Sequence, residues 1–276
     1  FVFIIGAAIG SFLNVVIHRV PNGESIVFPN SACPNCKKSI KPYDNIPILS
    51  WLILGGRCRN CQNLVSPRYL FVELLTGFLF LLVYWSVGFN ALLPVALIFT
   101  AAIVSLVFID AEHMILPNVI TYPLLVFALL VRLVFPLLFG ADYFPDLKIF
   151  PLNQMRNSPV WLVSLVGAVM GALVGGGFLW LVGAIWKKFR GVDAMGLGDV
   201  KMMFAVGALL GWRLTLLSIF IGSFAGAIIG IFVIARQKEK DFQKQIPFGI
   251  FLGIGSILSL LFGEQIIHWY INNFLL

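Results

Sequence analysis

The chain of 276 residues is 60% hydrophobic and only 11% charged, and it carries a formal net charge of +7. A soluble domain could not bury this much apolar surface, so the composition excludes that class. Apolar runs of roughly 17–25 residues recur along the chain, as membrane-spanning helices require. We therefore assign the positive charge to the loops of a protein embedded in a lipid bilayer, and we expect no nucleic-acid partner.

The apolar runs predict an all-α polytopic membrane protein with about eight transmembrane helices. The sixth run is short, and it could instead merge with the seventh as a bent or re-entrant pair. The first run is expected to be a retained spanning helix and not a signal peptide. The predicted spans are Val2–Ile17, Tyr69–Val87, Ala91–Ile109, Val119–Phe139, Val160–Trp186, Val200–Gly211, Leu214–Ala235 and Phe248–Ile271.

Basic residues concentrate in three of the segments between these spans, at 18–68, 187–190 and 236–244. With eight crossings the three segments fall on one side of the membrane, which the positive-inside rule makes cytoplasmic. Both termini then face outward. The end of the third span at Asp110 and the start of the sixth at Asp199 would both lie at the cytoplasmic edge of the bilayer.

Two aspartates stand where a membrane helix should carry no charge. Asp110 closes an apolar run, and Asp199 follows two glycines in Gly196-Leu197-Gly198-Asp199. A carboxylate in a bilayer costs roughly 2.5–3.5 kcal/mol, so such residues are usually functional. Two carboxyl groups that share a proton can activate water as an acid–base pair. Gly196 and Gly198 would let the backbone approach an extended substrate or the other aspartate.

Each aspartate also has a purely structural interpretation. Asp199 could cap the sixth helix, and Asp110 could pair with Lys201 or His113. Taken together, at one depth and next to glycines, the two aspartates favour catalysis. They predict an aspartyl protease that works in the membrane.

A third acidic residue, Glu73, lies within an apolar span and would need a partner such as Arg68 or Lys201. Lys201 could equally bind a phosphate or a substrate carboxylate. The long loop from Gly140 to Pro159 carries charged residues but no pattern that indicates a chemistry.

The four cysteines form two Cys-x-x-Cys pairs, separated by 21 residues. This spacing is typical of a tetrahedral tetrathiolate zinc site, because each short turn presents two sulfurs to one ion. A disulfide pair or unliganded thiols are the alternatives, although disulfides are disfavoured in a cytoplasmic loop. The zinc would be structural and would stabilise a domain too small to build its own core. The expected ligands are Cys33, Cys36, Cys58 and Cys61.

These features divide the chain into three parts. The first transmembrane helix occupies residues 1–18, and a cytoplasmic zinc-binding domain inserted after it occupies 19–68. A membrane-embedded aspartyl protease core occupies 69–276.

A series of motifs runs along almost the whole chain, and its order and spacing are specific. The motifs are Gly10–Arg19, the two cysteine pairs, Ile46–Trp51, Ser66–Tyr69, Val72–Leu75, Asp110, Leu116–Asn118, Met195–Lys201 and Ile246–Gly249. In these motifs the chain resembles the bacterial type IV prepilin peptidases, the bifunctional leader peptidase and N-methyltransferase enzymes of the GxGD aspartyl protease type. A small departure from the family pattern is Asn118, where an Asp is common after Leu-Pro.

The resemblance implies that Asp110 and Asp199 are the catalytic pair and that the four cysteines bind a metal. It implies cleavage of a short basic leader from prepilins and pseudopilins, after a Gly and before a residue that is usually Phe. The reaction would take place at the cytoplasmic face of the bacterial inner membrane. The new amino terminus would then be methylated with S-adenosylmethionine, at a site that the sequence does not locate. Glu73, Arg68 and Lys201 are candidates for contacting the substrate or the methyl donor.

Three alternatives explain part of the sequence. A proton or cation transporter would use the membrane carboxylates, but it leaves the cysteines unexplained, and no paired inverted halves are recognisable. A non-catalytic assembly factor could dock partners through the zinc domain. A peptidase without methyltransferase activity also fits the aspartates, although such relatives generally lack the paired cysteines.

Overall fold

The computed structural model describes residues 1–33, 35–155, 157–192, 195–236 and 247–274. The basic segment predicted at 236–244 therefore falls almost wholly outside the described residues, as does Ile246 of the last matching stretch. The described backbone is helical, with short 3₁₀ turns and no strand. The helices are α1 (Val2–Arg19), α2 (Leu49–Ile53), α3 (Pro67–Val87), α4 (Leu93–His113), α5 (Asn118–Phe139), α6 (Val160–Ala172), α7 (Phe178–Arg190), α8 (Leu197–Leu210), α9 (Trp212–Arg236) and α10 (Phe248–Phe274).

Seven helices in the described part of the chain are long and apolar enough to cross a membrane. One of them joins α6 and α7 through a π-helical segment, Leu173–Gly177, into a single helix of 31 residues. The predicted class, an all-α polytopic membrane protein, is confirmed. The short sixth run forms α8, whose 14 residues extend only about 21 Å at about 1.5 Å per residue. That length is less than the roughly 30 Å of a bilayer core.

The chain divides into two compact units, Phe1–Ile109 and Asp110–Leu276, with the boundary inside α4. In the first unit, α1 packs along α3. The backbones approach closely, since a β-carbon at Gly10 would lie 2.8 Å from the Cα of Glu73. The cysteine-rich segment lies between these two helices in the sequence.

In the second unit, the short helix α8 is the most enclosed element, with ten of its 14 residues buried. It contacts α5, α6, α9, α10 and the π-helical segment. Glycines permit this packing, because a β-carbon at Gly171 or at Gly207 would collide with the backbone of the other residue. Small residues on α6 therefore place α8, and with it Asp199, inside the unit.

The carboxyl end of α8 is held by a buried ion pair. Arg132 of α5 donates from Nε to the carbonyl oxygens of Ala208 and Leu209, each at 3.2 Å. Its Nη1 donates to Oδ1 of Asp146 at 2.9 Å. A cation at the last carbonyls of a helix complements the negative end of the helix dipole. The loop from Gly140 to Pro159, in which the sequence indicated no chemistry, thus supplies a structural carboxylate.

Candidate active site and metal centre

Asp199 is the third residue of α8, directly after the N-terminal glycines. Its carboxylate accepts a hydrogen bond from the backbone N–H of Gly196, as an acidic residue in a first helical turn commonly does. The side chain is only 7% exposed. The helix-cap interpretation therefore fits the local geometry, and it does not exclude a catalytic role for the same carboxylate.

Asp110 lies in the last turn of α4 and faces the first turn of α10. Its carboxylate interacts with the backbone N–H groups of Gly249 and Ile250. The carboxylate of each aspartate thus lies at the amino terminus of a helix, which is α8 for Asp199 and α10 for Asp110. The partial positive charge of the free N–H groups there favours an anion. Within the described residues, neither carboxylate forms a salt bridge with a basic side chain.

The two carboxylates converge on Gly249. A β-carbon at this position would lie 2.7 Å from Oδ2 of Asp110 and 2.8 Å from Oδ1 of Asp199. Oδ2 of Asp110 is buried and accepts no hydrogen bond from any residue that the structure describes. Two acidic oxygens therefore meet in a small space, one of them without a partner. Gly249 is a site residue that the sequence analysis did not single out, and its only signal was its place in the last matching stretch.

The other residues predicted near the aspartates have different partners. Lys201 donates from Nζ to Oδ1 of Asn118 at 2.9 Å and lies 5.4 Å from the centroid of the Tyr122 ring. The structure thus gives no ion pair between Asp110 and Lys201. The side-chain amide of Asn118, the small departure from the family pattern, is what binds this lysine.

Gly196 and Gly198 differ in what surrounds them. A β-carbon at Gly198 would lie 2.9 Å from Cβ of Leu116, so this glycine allows α8 to pack against the segment after α4. A β-carbon at Gly196 would meet Asp199 Oδ2 only at 3.6 Å, an ordinary contact. Gly198 thus serves packing against Leu116 rather than the approach of the other aspartate.

Glu73 belongs to the first unit and is 8% exposed. Its Oε2 accepts a hydrogen bond from the N–H of Ile48 at 2.7 Å, and Ser11 donates from its hydroxyl. These partners are neutral, whereas the sequence predicted a basic one. Arg68 lies with its guanidinium 5.0 Å from the centroid of the Tyr69 ring.

The four cysteines form one cluster. Their sulfur atoms all lie within 4.8 Å of one another, and the Sγ atoms of Cys33 and Cys61 are 3.8 Å apart. A tetrahedron with metal–sulfur bonds of about 2.3 Å has sulfur–sulfur edges of about 3.8 Å. The donor set and its spacing fit a closed tetrathiolate zinc site.

Both cysteine pairs lie on the same type of turn. The N–H of Cys33 donates to the carbonyl of Lys38, and the N–H of Cys58 donates to the carbonyl of Asn63. In each turn the residue after the second cysteine has a φ of 58°. Backbone N–H groups of Cys61 and Asn60 lower the pKa of the Cys58 thiol to about 6. The thiolate is the metal-binding form of cysteine, so this lowered pKa favours metal binding at Cys58. At Cys61 the backbone N–H of Asn63 is outweighed by burial and the neighbouring sulfurs, which raise the pKa of that thiol to about 11.

Comparison with known proteins places the chain among peptidases. Residues 4–87 match the bacterial peptidase A24 N-terminal domain, and residues 97–231 match the type IV leader peptidase family. Three curated relatives are each named prepilin leader peptidase/N-methyltransferase. The one from Aeromonas hydrophila is 38% identical, with 99% of this chain and 94% of the relative covered. Those from Neisseria gonorrhoeae and Pseudomonas aeruginosa are 36% and 33% identical, each over 98% of this chain and over 93% and 92% of the relative. No solved structure matches the chain.

The fold and the two clusters define a class of protein, that of polytopic helical membrane proteins with two adjacent buried aspartates and a four-cysteine cluster. The chain belongs to the type IV leader peptidase family. The resemblance seen in the sequence is thereby confirmed, and the protein is a peptidase that is also a methyltransferase.

Proposed function

We propose that this protein removes the basic leader from prepilins or pseudopilins and then methylates the new amino terminus. Cleavage would fall between a Gly and a residue that is usually Phe. The observation that carries the proposal is the convergence of Asp110 and Asp199 on Gly249, in a chain of the leader peptidase family. The names of the relatives supply the substrate class.

The mechanism follows from two carboxyl groups that share one proton. The ionised aspartate takes a proton from a water molecule, whose oxygen then bonds to the carbonyl carbon of the scissile peptide. The protonated aspartate donates its proton to the carbonyl oxygen, and a tetrahedral intermediate forms. On its collapse the C–N bond breaks, and the departing nitrogen takes a proton from the pair.

The surroundings of the pair support this chemistry. The helix N-termini at Gly196 and Gly249 stabilise one negative charge without a basic side chain, so the second carboxyl group can remain protonated. The unpartnered Oδ2 of Asp110 is available to a reacting group. A helix as short as α8 cannot cross the whole bilayer, so at least one of its ends lies within the apolar layer. An apolar substrate helix could then enter sideways, with its basic leader left in the cytoplasm.

The wider assignment places the enzyme in the bacterial inner membrane, with its active site at the cytoplasmic face. Residues 1–18 would form the first transmembrane helix, 19–68 the cytoplasmic zinc-binding domain and 69–276 the protease core. Zinc would hold the two cysteine turns together and would take no part in cleavage. S-adenosylmethionine would supply the methyl group.

The decisive experiment compares wild type with Asp110→Asn and Asp199→Asn in cleaving a prepilin-like substrate, followed by mass spectrometry. Each substitution removes one proton-transfer group and nearly preserves shape, so we expect cleavage to be lost while the protein still inserts. The matched control is Asp142→Asn in the same unit, because Asp142 is exposed and, among the described residues, bonds only to Lys148.

Robust processing by either active-site variant would overturn the aspartyl pair. A gain of one methyl mass on the cleaved product, dependent on added S-adenosylmethionine, would support the second activity. Cleavage without that gain would leave a peptidase alone.

A further inference from the structure

The first unit contains a cavity of about 380 Å³ between one face of α1 and the loops at 26–31 and 45–47. Its volume falls in the range of roughly 300–1,000 Å³ that small-molecule sites occupy. The helix contributes Ser11 and Phe12 to its wall, and the loops contribute Asn30 and Pro47. Three of these residues, Ser11, Phe12 and Pro47, come from stretches that carry the family resemblance. Neither the carboxylate pair nor the cysteine cluster accounts for them.

The lining combines an aromatic ring, free amide groups and one cation. Phe12 is 48% exposed and lines the cavity with an aromatic side chain. Asn30 and Asn45 line it with side chains that form no hydrogen bond to the described residues. Arg19 also lines it and donates to the carbonyls of Ser25 and Pro29, which orders the loop that forms one wall. Among the described residues, Arg19 is the one charged side chain in the lining.

The buried Glu73 joins two walls of this cavity. One of its partners, Ser11, lines the cavity from α1. The other is the N–H of Ile48, directly after the lining residue Pro47. A carboxylate buried in an apolar helix is costly and is therefore usually functional. Here it fixes the helix wall and the loop wall against each other, and so it acts as a positioning residue.

We propose that this cavity binds the methyl donor, S-adenosylmethionine, and this inference rests on the methyltransferase activity proposed above. The cavity matches that ligand in chemistry. A ring face attracts a cationic sulfur or stacks on adenine. An arginine suits the carboxylate of the methionine part. Free amide groups can donate to and accept from the adenine edge or the ribose hydroxyls.

In the transfer that this site would serve, the lone pair of the substrate amine would form the new N–CH₃ bond. The C–S bond would break with its electron pair returning to sulfur, and the amine would release a proton. The residues of the cavity would bind and orient the donor, and none of them is required to take up that proton.

The first test is ultraviolet cross-linking of tritiated S-adenosylmethionine to the purified full-length protein, with the labelled peptide identified by mass spectrometry. We expect the label within residues 8–47, competed by S-adenosylhomocysteine. A label confined to residues outside the first unit would overturn the proposal, whatever the variants do.

The second test uses two variants and a matched control. Ala8→Phe places a ring in the cavity from an exposed position on α1, and we expect labelling to fall at least about tenfold. The double variant Asn30→Ala with Asn45→Ala loses two amides, and we expect a decrease of about tenfold. Asn22→Ala, an exposed amide of the same segment that does not line the cavity, should label as wild type does. Zinc content and thermal unfolding report whether each variant is folded.

The outcomes separate this inference from the proposed function. If wild type neither cross-links the donor nor methylates a pre-cleaved peptide, the methyltransferase assignment fails. If wild type does both and the two variants match it, the cavity is not the donor site. If Ala8→Phe lowers cleavage but leaves labelling intact, the cavity binds the peptide substrate instead, and the proposal is wrong.

Discussion

At the scale of single residues, Gly249 sets the space in which the two carboxylates meet. Its backbone N–H interacts with Asp110, and its missing side chain leaves room for oxygens from both aspartates. Gly249 therefore donates a hydrogen bond to the carboxylate of Asp110 and leaves space for the carboxylates of both aspartates.

We predict that Gly249→Ala lowers cleavage roughly 100-fold or more while the protein still folds and inserts. The added β-carbon would lie under 3 Å from Oδ2 of Asp110 and from Oδ1 of Asp199, so at least one carboxylate must move. A displacement of about 1 Å at reacting groups can cost about 10² in rate. The measurement is the cleavage rate of a prepilin-like substrate in detergent.

Gly183→Ala is the matched control, since a β-carbon at this helical position would meet open space. It should cleave as wild type does and be equally stable or slightly more so. Equal activity of Gly249→Ala and Gly183→Ala would show that the space at Gly249 is not needed for cleavage.

The sequence could predict Asp110 and Asp199 but not Gly249, for a physical reason. A charge in an apolar run is costly wherever its partners are, so it stands out in the sequence alone. The constraint on Gly249 arises from contacts between helices that are distant in the chain. Glu73 illustrates the same limit, because the cost of its burial was evident while its partners, Ile48 and Ser11, were not.

At the scale of elements, α8 is held at both ends by polar groups. Asp199 lies at its amino end, and Arg132 binds the carbonyls of Ala208 and Leu209 at its carboxyl end. Both Arg132 and Asp146 are almost completely buried, with side-chain exposures of 0% and 6%. Gly211 belongs to the same arrangement, because a β-carbon there would lie 2.7 Å from Asp146 Oδ2. The ion pair thus fixes the end of the helix that carries Asp199.

We predict that Asp146→Ala destabilises the protein by about 3–5 kcal/mol, because it leaves the Arg132 guanidinium buried without its counter-charge. Thermal unfolding in detergent measures the effect as a lower midpoint. The matched control in the same loop is Asp142→Ala. Lys148 holds the pKa of Asp142 below its usual value through a side-chain hydrogen bond, but both groups are exposed.

An exposed pair of this kind contributes little, so Asp142→Ala should leave the midpoint unchanged. The pKa of Asp142 is depressed in the folded state. Any small contribution of the Asp142–Lys148 pair to stability is therefore present at a pH above the unfolded-state pKa of Asp142, and it is lost as the pH falls through the folded-state pKa. A similar loss in both variants would mean that the buried pair does not hold α8.

The apolar pattern predicted the helices better than it predicted their contacts. Hydrophobic runs gave the long spans, because any segment that crosses a bilayer must be apolar over its whole length. The ion pair between α5 and the loop after it was not predicted, since two isolated charges in sequence carry no signal of pairing. The π-helical segment Leu173–Gly177 was likewise unforeseen. Its Gly175 packs against the Met203 backbone, a constraint set by a helix elsewhere in the chain.

At the scale of the whole molecule, helix lengths and charges bear on membrane orientation. The joined helix Val160–Arg190 has 31 residues, about 46 Å at about 1.5 Å per residue. It exceeds the roughly 30 Å of the bilayer core, so one of its ends projects beyond it. Its last turn carries Lys187, Lys188 and Arg190, and the positive-inside rule predicts that this end is cytoplasmic.

We therefore predict that a cysteine replacing Phe189 is shielded from a membrane-impermeant maleimide in intact cells and becomes labelled after permeabilisation. A cysteine replacing Asp142, in the loop before that helix, should be labelled in intact cells. Both positions are exposed, so the difference between them reports the side of the membrane. The wild-type chain controls for its own four cysteines, which the proposed topology places inside and which zinc would mask. Labelling of the Phe189→Cys variant in intact cells would invert the topology and move the joined helix's basic end to the outer face.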